Sequence, residues 1–168
     1  NAALRLVVKP ERKFSLLLHL GRFRDARSFA VGLADPDSHF ALIRDRALAH
    51  LDASVQGRDY VRAMEMADMA ECDAVKKEEI LDLGRKHLDR ELAAADSEEE
   101  IHSVLRQRVK LEEMAGHFEE AGRLAEEALG DLDLASLLYE KANLYHKAIG
   151  TSSDQLRTAR LHETGGNH

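Results

Sequence analysis

The sequence predicts an all-α protein, a short right-handed α-solenoid of about nine or ten helices paired as antiparallel hairpins. Three observations predict it. Apolar residues recur at three- and four-residue spacing along most of the chain, which is the helical period. Glycine, asparagine or proline breaks that period at short intervals, so the helices are brief. Finally, Gly130-Asp131-Leu132 with Ala135 is followed by Asn143-Leu144-Tyr145 with Ala148, the same phrase written twice.

Composition agrees with this class. With 44% hydrophobic and 33% charged residues and two prolines in 168 residues, the chain is long enough to bury a core and poor in helix breakers. Aromatic residues make up 5% and tryptophan is absent, so stacking platforms for nucleic acid are scarce. A net charge of −7 weighs against phosphate-backbone binding as well. The charge is uneven: residues 1–62 hold 11 Lys and Arg against 7 Asp and Glu, whereas residues 63–168 hold 13 against 24. The acidic part reads as a solvated surface. Cys72 stands alone, which excludes an internal disulfide and points to a reducing, cytoplasmic setting. No apolar run approaches the roughly 20 residues that span a bilayer, and no signal-peptide pattern opens the chain, so no membrane association is expected.

The chain reads as one helical-repeat domain over residues 10–163, excised from a larger protein. Residues 1–9 form an N-terminal extension whose Asn1-Ala2 resembles a tag scar, and residues 164–168 form a disordered tail without an apolar anchor.

Each element follows from local signals. Residues 3–8 are the only stretch compatible with a strand. Pro10 suits the first turn of a helix that places Phe14, Leu17, Leu18 and Gly21 on one face. A second helix carries Phe23, Ala26, Phe29, Ala30 and Leu33. Asp35 caps a third, with Pro36 in its first turn and Phe40, Ile43, Ala47, Leu48 and Leu51 inward. After Gly57, a fourth helix holds Tyr60, Ala63, Met64, Ala67 and Ala70. A long helix over 76–94 turns Ile80, Leu83, His87, Leu88 and Leu92 inward. Ser97 and Glu100 match a capping box for the next, which runs through Ile101, Leu105, Val109, Leu111 and Met114 to Gly116. Short helices then break at Gly130 and Asn143, and Ser152 or Ser153 caps a last one through Leu156, Ala159 and Leu161.

The recurrent unit has a physical logic. Its copies are Gly21 with Phe23 and Ala26, Gly116 with Phe118 and Ala121, Gly130 with Leu132, Ala135, Tyr139 and Ala142, and Asn143 with Tyr145 and Ala148. Gly57 with Tyr60, Ala63 and Ala67 reads as a looser copy with one inserted residue. Glycine, or asparagine in its stead, allows the left-handed backbone that ends one helix and turns into the next. The large residue two positions on plugs the gap, and the alanines let the neighbouring helix approach closely. On these marks Phe118, Leu124, Leu137 and Leu138 are expected to carry the burial energy.

In these residues the chain resembles the tetratricopeptide family, whose second helix opens with glycine, an aromatic residue and alanine; Leu132 replaces the aromatic here. That family repeats every ~34 residues, whereas Gly116, Gly130 and Asn143 are 14 and 13 apart. The closer likeness is to the degenerate helical hairpins that follow propellers in coat and transport scaffolds. It covers residues 112–150 well and 14–70 weakly. What the resemblance implies is a non-catalytic scaffold.

Chemistry-bearing motifs are few. Glu113/His117 and Glu98/His102 share helix faces four residues apart, but no second histidine completes a metal set and no HExxH or CxxC is present. These pairs read as ion pairs, and no metal or cofactor is expected. Cys72, one turn after Asp68, reads as a buried structural cysteine. No nucleophile elbow or phosphate-cradling glycine loop occurs, so the chain is not expected to be an enzyme. The one basic concentration is Arg22, Arg24 and Arg27 with Arg12 and Lys13, either a solvated face or a docking patch for an acidic peptide.

The leading expectation is therefore a protein-protein interaction scaffold that binds a protein or peptide, with no nucleic acid and no membrane. The alternative is a helical-bundle sensor or regulatory domain that binds a small ligand or forms a homodimer through Met64, Met66 and Met69.

Overall fold

The computed structural model describes residues 9–152 and 155–165, and the protein is all-α. The described residues form ten helices and no strand. These are α1 (Pro10–His19), α2 (Phe23–Ala30), α3 (Pro36–Gln56), α4 (Tyr60–Met69), α5 (Ala74–Ala94), α6 (Glu98–Met114), α7 (Phe118–Glu127), α8 (Leu132–Lys141), α9 (Tyr145–Thr151) and α10 (Gln155–Gly165). They group into two compact units, one ending at Lys77 and the other beginning at Glu78, with the boundary inside α5. The possible strand over 3–8 and the cap assigned to Ser153 lie outside the described residues. Ser152 closes α9 at its C-terminal end.

The joints are the organising feature. Gly21, Arg58, Glu71, Gly116, Gly130 and Asn143 all have positive φ, the left-handed backbone that ends a helix. At five of them the left-handed residue donates its N–H three residues back, and the next residue donates five residues back. The pairs are Gly21 to Leu18 with Arg22 to Leu17, Arg58 to Val55 with Asp59 to Ser54, Glu71 to Asp68 with Cys72 to Ala67, Gly116 to Glu113 with His117 to Glu112, and Asn143 to Glu140 with Leu144 to Tyr139. This is the Schellman arrangement, and it satisfies carbonyls that the helix end would otherwise leave unpaired. In four cases the second residue, Arg22, Asp59, His117 or Leu144, is also the N-cap of the following helix. Helix therefore follows helix with three residues between them at these four joints: a C-cap, a left-handed residue and the N-cap of the next helix. Gly130 departs from the rule: Leu129 donates to Leu124 and Asp131 to Ala125, a wider turn.

Five residues after five of these six left-handed positions, all but Glu71, stands an alanine that is fully buried: Ala26, Ala63, Ala121, Ala135 and Ala148 are each 0% exposed. A further turn on, Ala30, Ala67 and Ala125 are buried in the same way. Small side chains at these places allow close helix approach, and larger neighbours fill the remainder. In the second unit the core joins Val109, Leu138, Tyr139 and Leu161 to the alanines, with Phe118, Leu124, Leu129 and Leu144 packed around them.

Several expectations are corrected by these contacts. Gly57 is not left-handed; it caps α3 with φ −74, and Arg58 at φ 61 makes the turn. Counted from Arg58, the positions of Tyr60, Ala63 and Ala67 match the other copies without an insertion. Leu132 does not plug a gap: it is 48% exposed, because the wider turn at Gly130 places Leu129 on the core in its stead. Leu137 is exposed too, and so are Leu48, Leu83 and Leu92; α5 buries Ile80, Leu81, Gly84 and Leu88 instead. Glu100 accepts from the amide of Asp96 rather than from that of Ser97, although the Ser97 hydroxyl accepts from the Glu100 amide as expected. Thr164 and Gly165 belong to α10 rather than to a loose tail, and a side chain on Gly165 would meet Tyr145. Cys72 lies in the joint after Glu71 and is half-buried, not enclosed in a helix face.

Candidate docking groove and its buried carboxylate

The second unit contains one charge that sequence hydropathy would place in water. Glu112, two residues before the end of α6, is 0% exposed. Both oxygens are occupied. Arg85 of α5 donates through Nε to Oε1 at 2.8 Å and through Nη2 to Oε2 at 2.6 Å. Arg108, one turn earlier on α6, donates through Nε to Oε1 at 2.9 Å and through Nη1 to Asp89 at 2.9 Å. Each helix thus supplies an Arg and an acid four residues apart, and the two pairs interlock. Burial raises the carboxyl pKa, but hydrogen bonds from Arg85 and Arg108 outweigh it and hold Glu112 below its ordinary value. No buried side-chain nitrogen or oxygen among the described residues is left without a partner.

The network ends at a groove. His117, the N-cap of α7, brings Nδ1 to 3.2 Å from Glu112 Oε2 and 3.1 Å from Arg85 Nη2. The same histidine lines an open groove of about 620 Å³ with Gly116 and Phe118, facing Lys141, Ala142 and Leu144. The groove exists because the joints after α6 and α8 both open there. A second cleft of about 570 Å³ adjoins Asn143, Tyr145, His146 and Gly165.

Charges along the groove are fixed by partners from the same unit. Lys141 pairs with Glu113 at 2.5 Å and sits 5.8 Å from the Phe118 ring centre, while Glu119 pairs with Lys147 at 2.9 Å. Glu120 is held by Arg123 at 2.7 Å. Glu113 and Glu120 are both kept below the ordinary carboxylate range, by Lys110 and Lys141 in the first case and by Arg123 in the second. Tyr139 is buried beneath α7, and burial together with its bond to Glu126 raises its phenol pKa. No hydroxyl or thiol nucleophile stands among the residues lining the groove. What the arrangement offers is two half-buried apolar side chains, Phe118 and Leu144, rimmed by ordered charges.

Of the residues singled out in the sequence, Gly116, Phe118 and Ala142 come to the groove and Asn143 and Tyr145 to the second cleft, while Ala121, Ala135, Tyr139 and Ala148 lie in the core. The basic cluster is in the other unit and is neutralised there: Arg22 pairs with Asp25 at 2.5 Å, Arg24 with Glu65 at 2.9 Å and Arg27 with Glu71 at 3.4 Å. Arg27 also lies 5.9 Å from the Phe40 ring centre. A free cationic patch at these three arginines is therefore not what the fold presents. Met64 and Met66 are buried in the core, which removes them as a dimer face. Glu113 turns to lysines and His117 to Glu112, so the proposed Glu113/His117 pair does not form. Glu112 itself escaped sequence reasoning; the one signal was its place three residues after Val109, on the apolar side of α6.

Among the described residues no group of three or more histidine, cysteine or acidic side chains is placed to hold a metal, and no helix is long and apolar enough to cross a membrane. No protein-family model matches the chain, nor does any curated protein or solved structure.

Proposed function

We propose that this chain is a non-catalytic protein-interaction module of tetratricopeptide-like hairpins, docking a peptide segment of a cytoplasmic partner. The observation that carries the reading is the groove between the joints at Gly116–Phe118 and Lys141–Leu144. There, apolar contact from Phe118 and Leu144 lies beside charges already held in place. Ordering those charges in advance lowers the entropic cost of binding a segment across them. Glycine-marked joints and the lone Cys72 support the family likeness and the reducing setting, which otherwise rest on analogy.

A photo-crosslinking residue placed at Leu144 tests the reading against one placed at Val31, an exposed position in the other unit. Discrete adducts from position 144 that disappear on Lys141→Glu are expected. Identical adducts from both positions, or insensitivity to Lys141→Glu, would overturn it.

A further inference from the structure

We propose that the cleft between α1 and α3 is a binding site for the phosphate group of a small phosphomonoester, held by His19, Arg46 and His50. The cleft has a volume of about 250 Å³ and is lined by Ser15, Leu18, His19, Leu42, Arg46 and His50. That is room for a phosphate group with a short substituent, a space that otherwise holds several waters.

Its chemistry is one-sided. No carboxylate lines it. Arg46 and His50 are four residues apart on α3 and share a face, and His19 reaches in from the last turn of α1. The Ser15 hydroxyl donates to the Glu11 carbonyl at 2.9 Å and is not free to donate elsewhere. The polar set is therefore one guanidinium and two imidazoles, side chains that can each donate through an N–H. A metal ion would be repelled by the guanidinium, whereas an oxyanion with three terminal oxygens suits the three donor side chains that line the cleft.

Arg46 has no ion pair among the described residues, as is true of Arg12, Arg58 and Arg62 in the same unit; of these four, Arg46 is the one that lines the cleft, beside two histidines. His50 is also held in place, its ring edge-on to buried Phe23 with centroids 5.4 Å apart. A second contact, Phe14 edge-on to His39 at 4.5 Å, ties α1 to α3 beside the cleft. The negative end of α1 is muted as well, because the carbonyls of Leu16, Leu17 and Leu18 accept from the amides of the joint.

The test is a titration of the purified chain with inorganic phosphate and, separately, with O-phosphoserine at constant ionic strength, reading the imidazole proton shifts of His19 and His50 by NMR. Saturable shifts confined to these two histidines are expected with both probes. Arg46→Gln should weaken them about tenfold or more, as loss of a charge-assisted hydrogen bond does, and His19→Asn should also weaken binding at His50. Arg24→Gln, at a paired arginine, should leave the affinity unchanged. Shifts that fail to saturate, that spread over all the histidines, or that persist with the same affinity in Arg46→Gln would overturn the assignment.

Discussion

Arg85 grips Glu112 with two parallel hydrogen bonds, 2.8 and 2.6 Å long, across the contact between α5 and α6. A carboxylate without solvent access is tolerated only while such partners stay in place. Arg85→Met should lower unfolding free energy by about 3 kcal/mol, because it leaves the buried charge with fewer donors. Adding Glu112→Leu to the same chain should restore part of that loss. Urea denaturation of both variants checks the pair; additive losses would mean that the two residues act independently.

The same contact sets an acid limit. The folded pKa of Glu112 is depressed, so its contribution is fully present above the unfolded carboxylate value of about 4.3 and disappears as pH falls through the lower folded value. Glu112→Gln should therefore flatten the decline in urea midpoint below about pH 4.5 relative to the unaltered chain.

Gly116 has φ +83 with open space where a side chain would project. Gly116→Ala therefore isolates the backbone cost, about 1–2 kcal/mol. Gly150, inside α9 with equally open space, should respond to alanine in the opposite direction by a few tenths to about 1 kcal/mol. Thermal melting of the two variants gives the comparison directly.

Gly122 touches Tyr139 so closely that an added Cβ would lie 2.8 Å from two ring atoms. Since Tyr139 is buried and its hydroxyl donates to Glu126, the ring has little freedom to retreat. Gly122→Ala should cost about 1–3 kcal/mol. Tyr139→Leu in the Gly122→Ala background should recover part of it.

Ala135, fully buried on α8, gives a parallel case for the small-residue faces: Ala135→Leu should cost about 1–3 kcal/mol. An unchanged melting curve would remove that residue from the seam.

Helical period and joint chemistry made most elements legible in the sequence, because both depend on residues close together. Gly21, Gly116, Gly130 and Asn143 declare themselves, since few other residues adopt positive φ without strain. Arg58 and Glu71 do not, because their left-handed backbone is imposed by helices on either side at the expense of local preference. Gly57 drew the assignment one residue early for that reason. The fate of the basic cluster was illegible for another reason: the acids that neutralise Arg24 and Arg27 are Glu65 and Glu71, about forty residues further along, and no local pattern links them. Glu112 shows the same limit, since its burial depends on Arg85 from a different helix.

Where the residue whose amide closes the turn at the end of one coil also caps the start of its successor, as Arg22, Asp59, His117 and Leu144 do, the chain has no slack. One extra residue at such a place would rotate everything downstream by roughly a quarter turn or more. Length changes among natural or engineered variants should thus avoid these four hinges. The looser bend around Gly130 is the place to graft an epitope or a fluorescent label.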